Sequence, residues 1–140
     1  MSHSSFRLEE VVSFPQPLSP GVLYWSPRFA VTAHKCACGC GNDVVLGLNP
    51  AQWQLMKHAD GTASLSPSID NSSFPCRSHY WIRHGKVDWC GQLTIDEAQE
   101  ARARDRRARD SYFSTLNAQQ RPRSRLWTWV KSLFRLDSSK

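Results

Sequence analysis

Three cysteines stand two residues apart in Cys36-Ala37-Cys38-Gly39-Cys40-Gly41, and a fourth follows in Phe74-Pro75-Cys76-Arg77-Ser78-His79. Thiols packed so closely make a poor disulfide framework. As thiolates they repel one another unless a cation sits among them, and Zn²⁺ is the usual cation for a sulfur-rich tetrahedron. Cys36, Cys38, Cys40 and Cys76 are therefore the expected ligands of a structural zinc. A closed four-sulfur site has no position for water, which argues against metal-assisted hydrolysis. Both inner spacings are C-x-C, and an extended stretch would point alternate side chains to one face and let the three sulfurs converge. His34 and His79 are substitute ligands if one cysteine faces away. The fifth thiol, Cys90, follows a strand-like run and reads as a core residue.

The stretch 64–79 adds a second kind of chemistry, with six serines, two prolines and one histidine. A hydroxyl is a weak nucleophile until a base lies within hydrogen-bond reach, and histidine supplies one near neutral pH. Ser68 and His79 lie eleven residues apart and meet if Cys76 is clamped back toward the sheet. Asp70 or Asn71 is placed to orient the imidazole, or donors near Asn71 to hold an oxyanion. Arg77 has the fork to grip a carboxylate. The competing reading is a plain turn-rich loop, because Ser, Asn and Pro commonly bond or shape their own backbone. Neither a Gly-x-Ser-x-Gly elbow nor a His-Glu-x-x-His helix is present.

The elements that must position these groups are short. Val22–Trp25, Phe29–His34 and Asp43–Leu48 read as strands, the last two forming a hairpin with three cysteines at its tip. Trp53–Met56 and Ala63–Leu65 flank Asp60-Gly61, a strong hairpin signal. His79–Arg83 and Val87–Cys90 flank His84-Gly85-Lys86 as a third hairpin. Thr94-Ile95-Asp96-Glu97 is a capping box that opens a charged, exposed helix over about 95–114. The fold class is then α+β: a small, mainly antiparallel sheet domain of hairpins with a zinc site, followed by C-terminal helices.

At 140 residues the chain is one domain with tails. Residues 1–20, with Pro15, Pro17 and Pro20, read as an irregular arm. Residues 21–115 form the zinc-stapled domain with its helix. Residues 116–140 hold a linker and a basic amphipathic helix with Trp127 and Trp129. The net charge of +6 is concentrated in residues 102–135 and points to an acidic partner or a solvated basic face. No secretory leader and no apolar run of about 20 residues is evident, so a cytoplasmic protein without a transmembrane segment is expected. Reduced thiols there favour metal over disulfide.

Taken together, His34-x-Cys36-x-Cys38-Gly39-Cys40-Gly41, Ser64-Leu65-x-Pro67-Ser68-Ile69-x-Asn71 and Ser73-Phe74-Pro75-Cys76-Arg77-Ser78-His79-Tyr80-Trp81-Ile82 resemble a small bacterial zinc-binding family. It is known as a domain of unknown function and is encoded beside ubiquitin-like conjugation genes for E1-like and E2-like proteins. The resemblance spans roughly residues 20–92. It implies a peptidase that trims a ubiquitin-like precursor or removes the modifier from its targets. Ser68 would be the nucleophile, His79 the general base, and the four cysteines the holders of a scaffolding zinc. Partners would be the ubiquitin-like protein and the E1-like and E2-like proteins, with nucleic acid not expected. The family has Gly-Asn-Trp where this chain has Asp70-Asn71-Ser72, a change that bears on the turn and the substrate wall near Ser68. The alternative function is a non-enzymatic, zinc-ribbon-like adaptor for a protein or nucleic-acid partner, supported by the basic tail.

Overall fold

The structure, a computed structural model, describes residues 2–120. The amphipathic helix expected within residues 125–136, and the linker beyond residue 120, lie outside the described residues. Eight strands make two four-stranded sheets. The first sheet has the order β1 (Arg7–Glu10), β2 (Val22–Ser26), β3 (Val31–Lys35), β4 (Asp43–Gly47). The second has β5 (Gln54–Lys57), β6 (Ala63–Asp70), β7 (His79–Arg83), β8 (Lys86–Trp89). All neighbours are antiparallel except β1 and β2. The mainly antiparallel hairpin architecture expected from the sequence is present.

Within the expected arm, Arg7–Glu10 form a parallel strand on β2. The prolines come later, so they leave this strand's N–H groups intact and restrict only the connection to β2. Phe6 and Leu18, buried from the same segment, anchor it. Backbone bonds from Phe6 N–H to Gly85 O and from Val87 N–H to Ser4 O tie the segment to the second sheet.

The main core draws Leu23, Val44 and Leu46 from the first sheet and Leu65, Ile69, Tyr80 and Ile82 from the second. These come from strands with alternating burial, such as β7, where Tyr80 and Ile82 face in and Arg83 faces out. The turn after β5 follows its sequence signal. Asp60 Oδ1 accepts from the backbone and hydroxyl of Thr62, and Gly61 takes the left-handed conformation at φ +82° that favours glycine. Between β7 and β8, His84 and Gly85 both have positive φ, the pattern of a two-residue hairpin turn.

Helix α1 runs Ile95–Gln120, so residues 117–120, expected as linker, are helical. Its cap is the predicted reciprocal box. Thr94 N–H and its hydroxyl both bond Glu97 Oε2 at 2.8 Å, and Glu97 N–H returns to Thr94 Oγ1 at 3.2 Å. Residues up to Arg109 belong to one compact unit, and a second begins at Asp110, of which residues 110–120 are the helical continuation.

Candidate active site and cysteine cluster

Ser68 lies on a strand rather than in a loop, because β6 continues through Asp70. Its ladder with β5 ends at the pair Gln54–Ser66. Its ladder with β7 pairs Leu65 with Ile82 and Ile69 with Tyr80, so Ser66, Pro67 and Ser68 stand opposite Trp81 alone. A bulge of this kind re-aims a side chain and releases the local backbone from the ladder. Proline fits there because no ladder N–H is required of it. The serine that emerges places its Oγ 2.9 Å from His79 Nε2.

His79 opens β7, and its Nδ1 lies 3.1 Å from the carbonyl oxygen of Gly91. A carbonyl can only accept, so Nδ1 must carry the hydrogen. Nε2 then presents its lone pair to the Ser68 hydroxyl. The bond from Cys90 N–H to His79 O at 2.9 Å fixes the segment that supplies this carbonyl. Asp70 is not the orienting group, although it is the cross-strand neighbour of His79. Its carboxylate instead accepts from Ser72 N–H and Ser72 Oγ at 2.9 and 2.8 Å. Sequence reasoning missed Gly91, because a main-chain acceptor leaves no side-chain signature.

A second serine–histidine contact exists at the opposite end of these strands, with His58 Nε2 2.7 Å from Ser64 Oγ. Ser64 Oγ also accepts from His84 N–H at 2.9 Å, and the His58 and His84 rings stack at 3.7 Å. Among the described residues no acceptor fixes the other ring nitrogen of His58. This pair therefore lacks the directed relay found at Ser68.

The four cysteine sulfurs of Cys36, Cys38, Cys40 and Cys76 lie within 4.8 Å of one another. Cys36 Sγ is 3.4 Å from Cys38 Sγ and 3.9 Å from Cys76 Sγ. A tetrahedron with metal–sulfur bonds of about 2.3 Å has edges of about 3.8 Å, so the donor set fits a four-coordinate ion. The first three cysteines converge through a tight turn rather than an extended stretch. Gly39 N–H bonds Cys36 O at 3.1 Å, and Gly39 and Gly41 have φ +85° and +86°.

Hydrogen-bond donors surround the sulfurs, as thiolates require. Cys40 N–H reaches Cys38 Sγ at 3.4 Å, and Asn42 Nδ2 reaches Cys40 Sγ at 3.2 Å. Burial pushes the Cys36 thiol up and carries Cys38 up to about 12. At Cys40 burial also acts upward. It is outweighed by bonds from Asn42 and Cys38, which bring that thiol down to about 7.

Asn71, expected near the oxyanion, directs its side-chain amide toward the cysteine cluster. It is only 5 % exposed, and its amide donates to Ser78 Oγ at 3.1 Å and approaches Cys36 Sγ at 3.6 Å and Tyr80 OH at 3.5 Å. Ser78 Oγ in turn sits 3.0 Å from Cys36 Sγ. Arg77 adopts φ +47°, an uncommon conformation for a side-chain-bearing residue. Cys76 and Ser78 on either side of it both face Cys36. The Arg77 guanidinium donates to Leu93 O at 2.8 Å and lines a hollow of about 260 Å³ with Arg102.

His34 is no substitute ligand. It is fully buried, bonds Tyr80 OH at 2.9 Å, and is held neutral by burial, which lowers its pKa to about 3. Burial likewise pushes Tyr80 well above the usual phenol range. Cys90 stands outside the cluster, but it is half-buried and belongs to neither group of core residues, contrary to its reading as a core thiol.

The site thus combines a hydroxyl in hydrogen-bond contact with an imidazole and a nearby sulfur cluster that could hold a metal ion. The first arrangement suits acyl transfer, because the nucleophile and base are in contact and the base has a fixed tautomer. Among the described residues no helix is long and apolar enough to cross a membrane. A family model described as bacterial ubiquitination-like system serine protease (BubE) matches residues 10–90 of the chain. No curated protein and no solved structure matches it.

Proposed function

Because the chain belongs to the family of serine proteases of bacterial ubiquitination-like systems, BubE, we propose that it hydrolyses an amide bond at the C-terminal end of a ubiquitin-like protein. Ser68 is the nucleophile and His79 the general base. The observation that carries this reading is the directed relay from the Ser68 hydroxyl through His79 to the Gly91 carbonyl.

In the first half-reaction Ser68 Oγ attacks the carbonyl carbon of the scissile bond while His79 Nε2 takes the hydroxyl proton. The imidazolium returns that proton to the departing amine, leaving an acyl-serine. Water then enters, is deprotonated by the same nitrogen, and releases the carboxylate and the serine. The Gly91 carbonyl holds the tautomer and lends its dipole to the transient imidazolium. It is neutral, so it stabilises that cation less than an aspartate would. The end of β5 at Gln54 leaves residues 67–70 of β6 without a β5 partner, which suits an extended substrate tail lying alongside the nucleophile.

The four-sulfur donor set fits Zn²⁺ as a structural ion, with Cys36, Cys38 and Cys40 from the β3–β4 turn and Cys76 from the β6–β7 loop. Bound there, the ion supplies a cross-link between two segments. The cognate partners are the ubiquitin-like protein and the E1-like and E2-like proteins of its conjugation system. The test is incubation with the ubiquitin-like precursor and mass spectrometry of the products. Wild type is expected to release a shortened modifier and Ser68→Ala to release none. Cleavage by Ser68→Ala at the wild-type rate would refute the assignment.

A further inference from the structure

The residue that precedes the nucleophile lines a cavity of about 330 Å³ that the proposed chemistry does not use. One wall is Pro67, the residue before Ser68, and another is Trp53, just ahead of β5. The facing wall is the helix, which contributes Arg102, Asp105, Arg106 and Arg109. Positions 102, 106 and 109 share one helical face, because residues three and four apart are neighbours on a helix. Three arginines and a single aspartate therefore line one hollow.

Two side chains on these walls, Arg106 and Trp53, have donors without acceptors among the described residues. Arg102 is fixed by a 2.6 Å bond from Nη2 to Ser72 Oγ, and that hydroxyl is itself bonded to Asp70. Arg106 makes no hydrogen bond or ion pair among the described residues. Trp53 Nε1–H is buried without an acceptor, which is uncommon for a donor of this kind. A hollow lined by Arg102, Arg106 and Arg109 with one acid, Asp105, is complementary to a carboxylate, which accepts charge-assisted and two-pronged bonds from arginine.

We propose that this cavity is a specificity pocket that takes an acidic side chain of the substrate protein, within three residues of the cleaved bond. The distance limit follows from placement. Pro67 adjoins Ser68, and an extended substrate advances about 3.4 Å per residue, so the hollow can be reached only from the first few positions. The inference rests on Ser68 being the nucleophile, and it adds what that nucleophile selects. A substrate with the matching acid is cleaved faster because its charge is held in place while the carbonyl is positioned.

The experiment uses the full chain and internally quenched peptides spanning the precursor's cleavage point, with Glu or Gln placed at each of the three residues on either side. The expected result is a preference of about tenfold or more in kcat/KM for Glu at one position, the worth of a charge-assisted bond. Arg106→Glu is expected to reverse that ratio, and Arg28→Glu, outside the pocket, to keep it. Equal cleavage of every Glu and Gln pair overturns the pocket and leaves the protease reading standing. Absence of cleavage in both the precursor and every peptide overturns the protease reading instead. In that event the pocket is still tested by NMR titration of the Ser68→Ala protein with the same peptides. It stands if the Glu peptide, and not the Gln peptide, shifts the Trp53 Nε1–H resonance, and it falls if neither or both do.

Discussion

Changing Cys76 to serine removes one sulfur from the cluster and, with it, the link that a bound ion would make between the β3–β4 turn and the β6–β7 loop. Cys36 and Cys76 are 40 residues apart in sequence. In the chain-entropy treatment of a cross-link, closing a loop of that length restricts the unfolded chain by about 4 kcal/mol. Serine nearly matches cysteine in shape, and Cys76 is only half-buried, so lost packing adds little. For a domain of this size about 4 °C of melting temperature corresponds to 1 kcal/mol. Metal-saturated Cys76→Ser should therefore melt about 15 °C below wild type. Cys90→Ser, outside the cluster, should melt within a degree or two of it.

Chelation of an ion held there would go further, since it would remove all four attachments. Structural zinc contributes about 10–16 kcal/mol of apparent binding in small domains, as much as a typical domain's whole stability of about 5–15 kcal/mol. The metal-stripped protein is expected to lose its cooperative transition. Two residues separate Cys76 from His79, and displacement of a catalytic group by about 1 Å costs on the order of a hundredfold. Cleavage by Cys76→Ser, assayed below its melting point, should fall by about tenfold to a hundredfold. Scanning calorimetry with metal content measured by mass spectrometry decides the matter. Metal-free protein that melts at the wild-type temperature would refute the reasoning.

Other predictions concern single groups. His79→Ala should lower kcat by about a hundredfold to ten-thousandfold, and the Ser68→Ala, His79→Ala double variant should be no slower than Ser68→Ala alone, because the two act as one unit. Ser64→Ala, at the undirected serine–histidine contact, should cleave at the wild-type rate, and a loss like that of Ser68→Ala would move the active centre to the other end of the sheet. Asn71→Ala should lower unfolding free energy by about 2 kcal/mol in denaturant titration while changing kcat by less than about threefold, whereas an oxyanion donor would cost about a hundredfold or more. Gly85→Ala places a Cβ 2.9 Å from Phe6 O at φ +74°, and the left-handed strain with that backbone clash should cost at least about 2 kcal/mol in the same assay.

Much of the fold was legible because its signals are local. Asp60-Gly61 and His84-Gly85 mark turns by backbone need, and the strands beside them alternate in burial. The capping box at Thr94 and Glu97 needs only four adjacent residues. The arm was misread because Arg7–Glu10 gains its strand from a partner twelve or more residues away and carries no alternation of its own. Pro67 and the serines around it made the end of β6 look like a loop, whereas the strand tolerates them through its bulge.

The site was legible in a similar, partial way. Cysteine spacing announces a cluster, and the Ser68–His79 pairing was implied by the family's motif. Asn71 and Asp70 looked like catalytic aids because sequence distance from Ser68 is all a reader has. The structure gives the first to the sulfur cluster and the second to Ser72.

The placement of Asn71 explains why a serine protease of this size would carry a metal cluster at all. The bulge that exposes Ser68 gives up ladder bonds just where β6 must hold His79 opposite, and β5 has already ended. Two backbone contacts close the gap, the Asp70–His79 pair and the bond from Asn71 N–H to Ser78 O at 2.8 Å. The residues that make or flank these contacts, Asn71, Cys76 and Ser78, are the ones whose side chains reach Cys36. An ion held there would clamp the loop that joins nucleophile strand to base strand without touching the substrate. In a longer domain additional core could do the same. Here an ion held by the four sulfurs would replace it, and the proposed chemistry rests with a hydroxyl, an imidazole and a main-chain carbonyl.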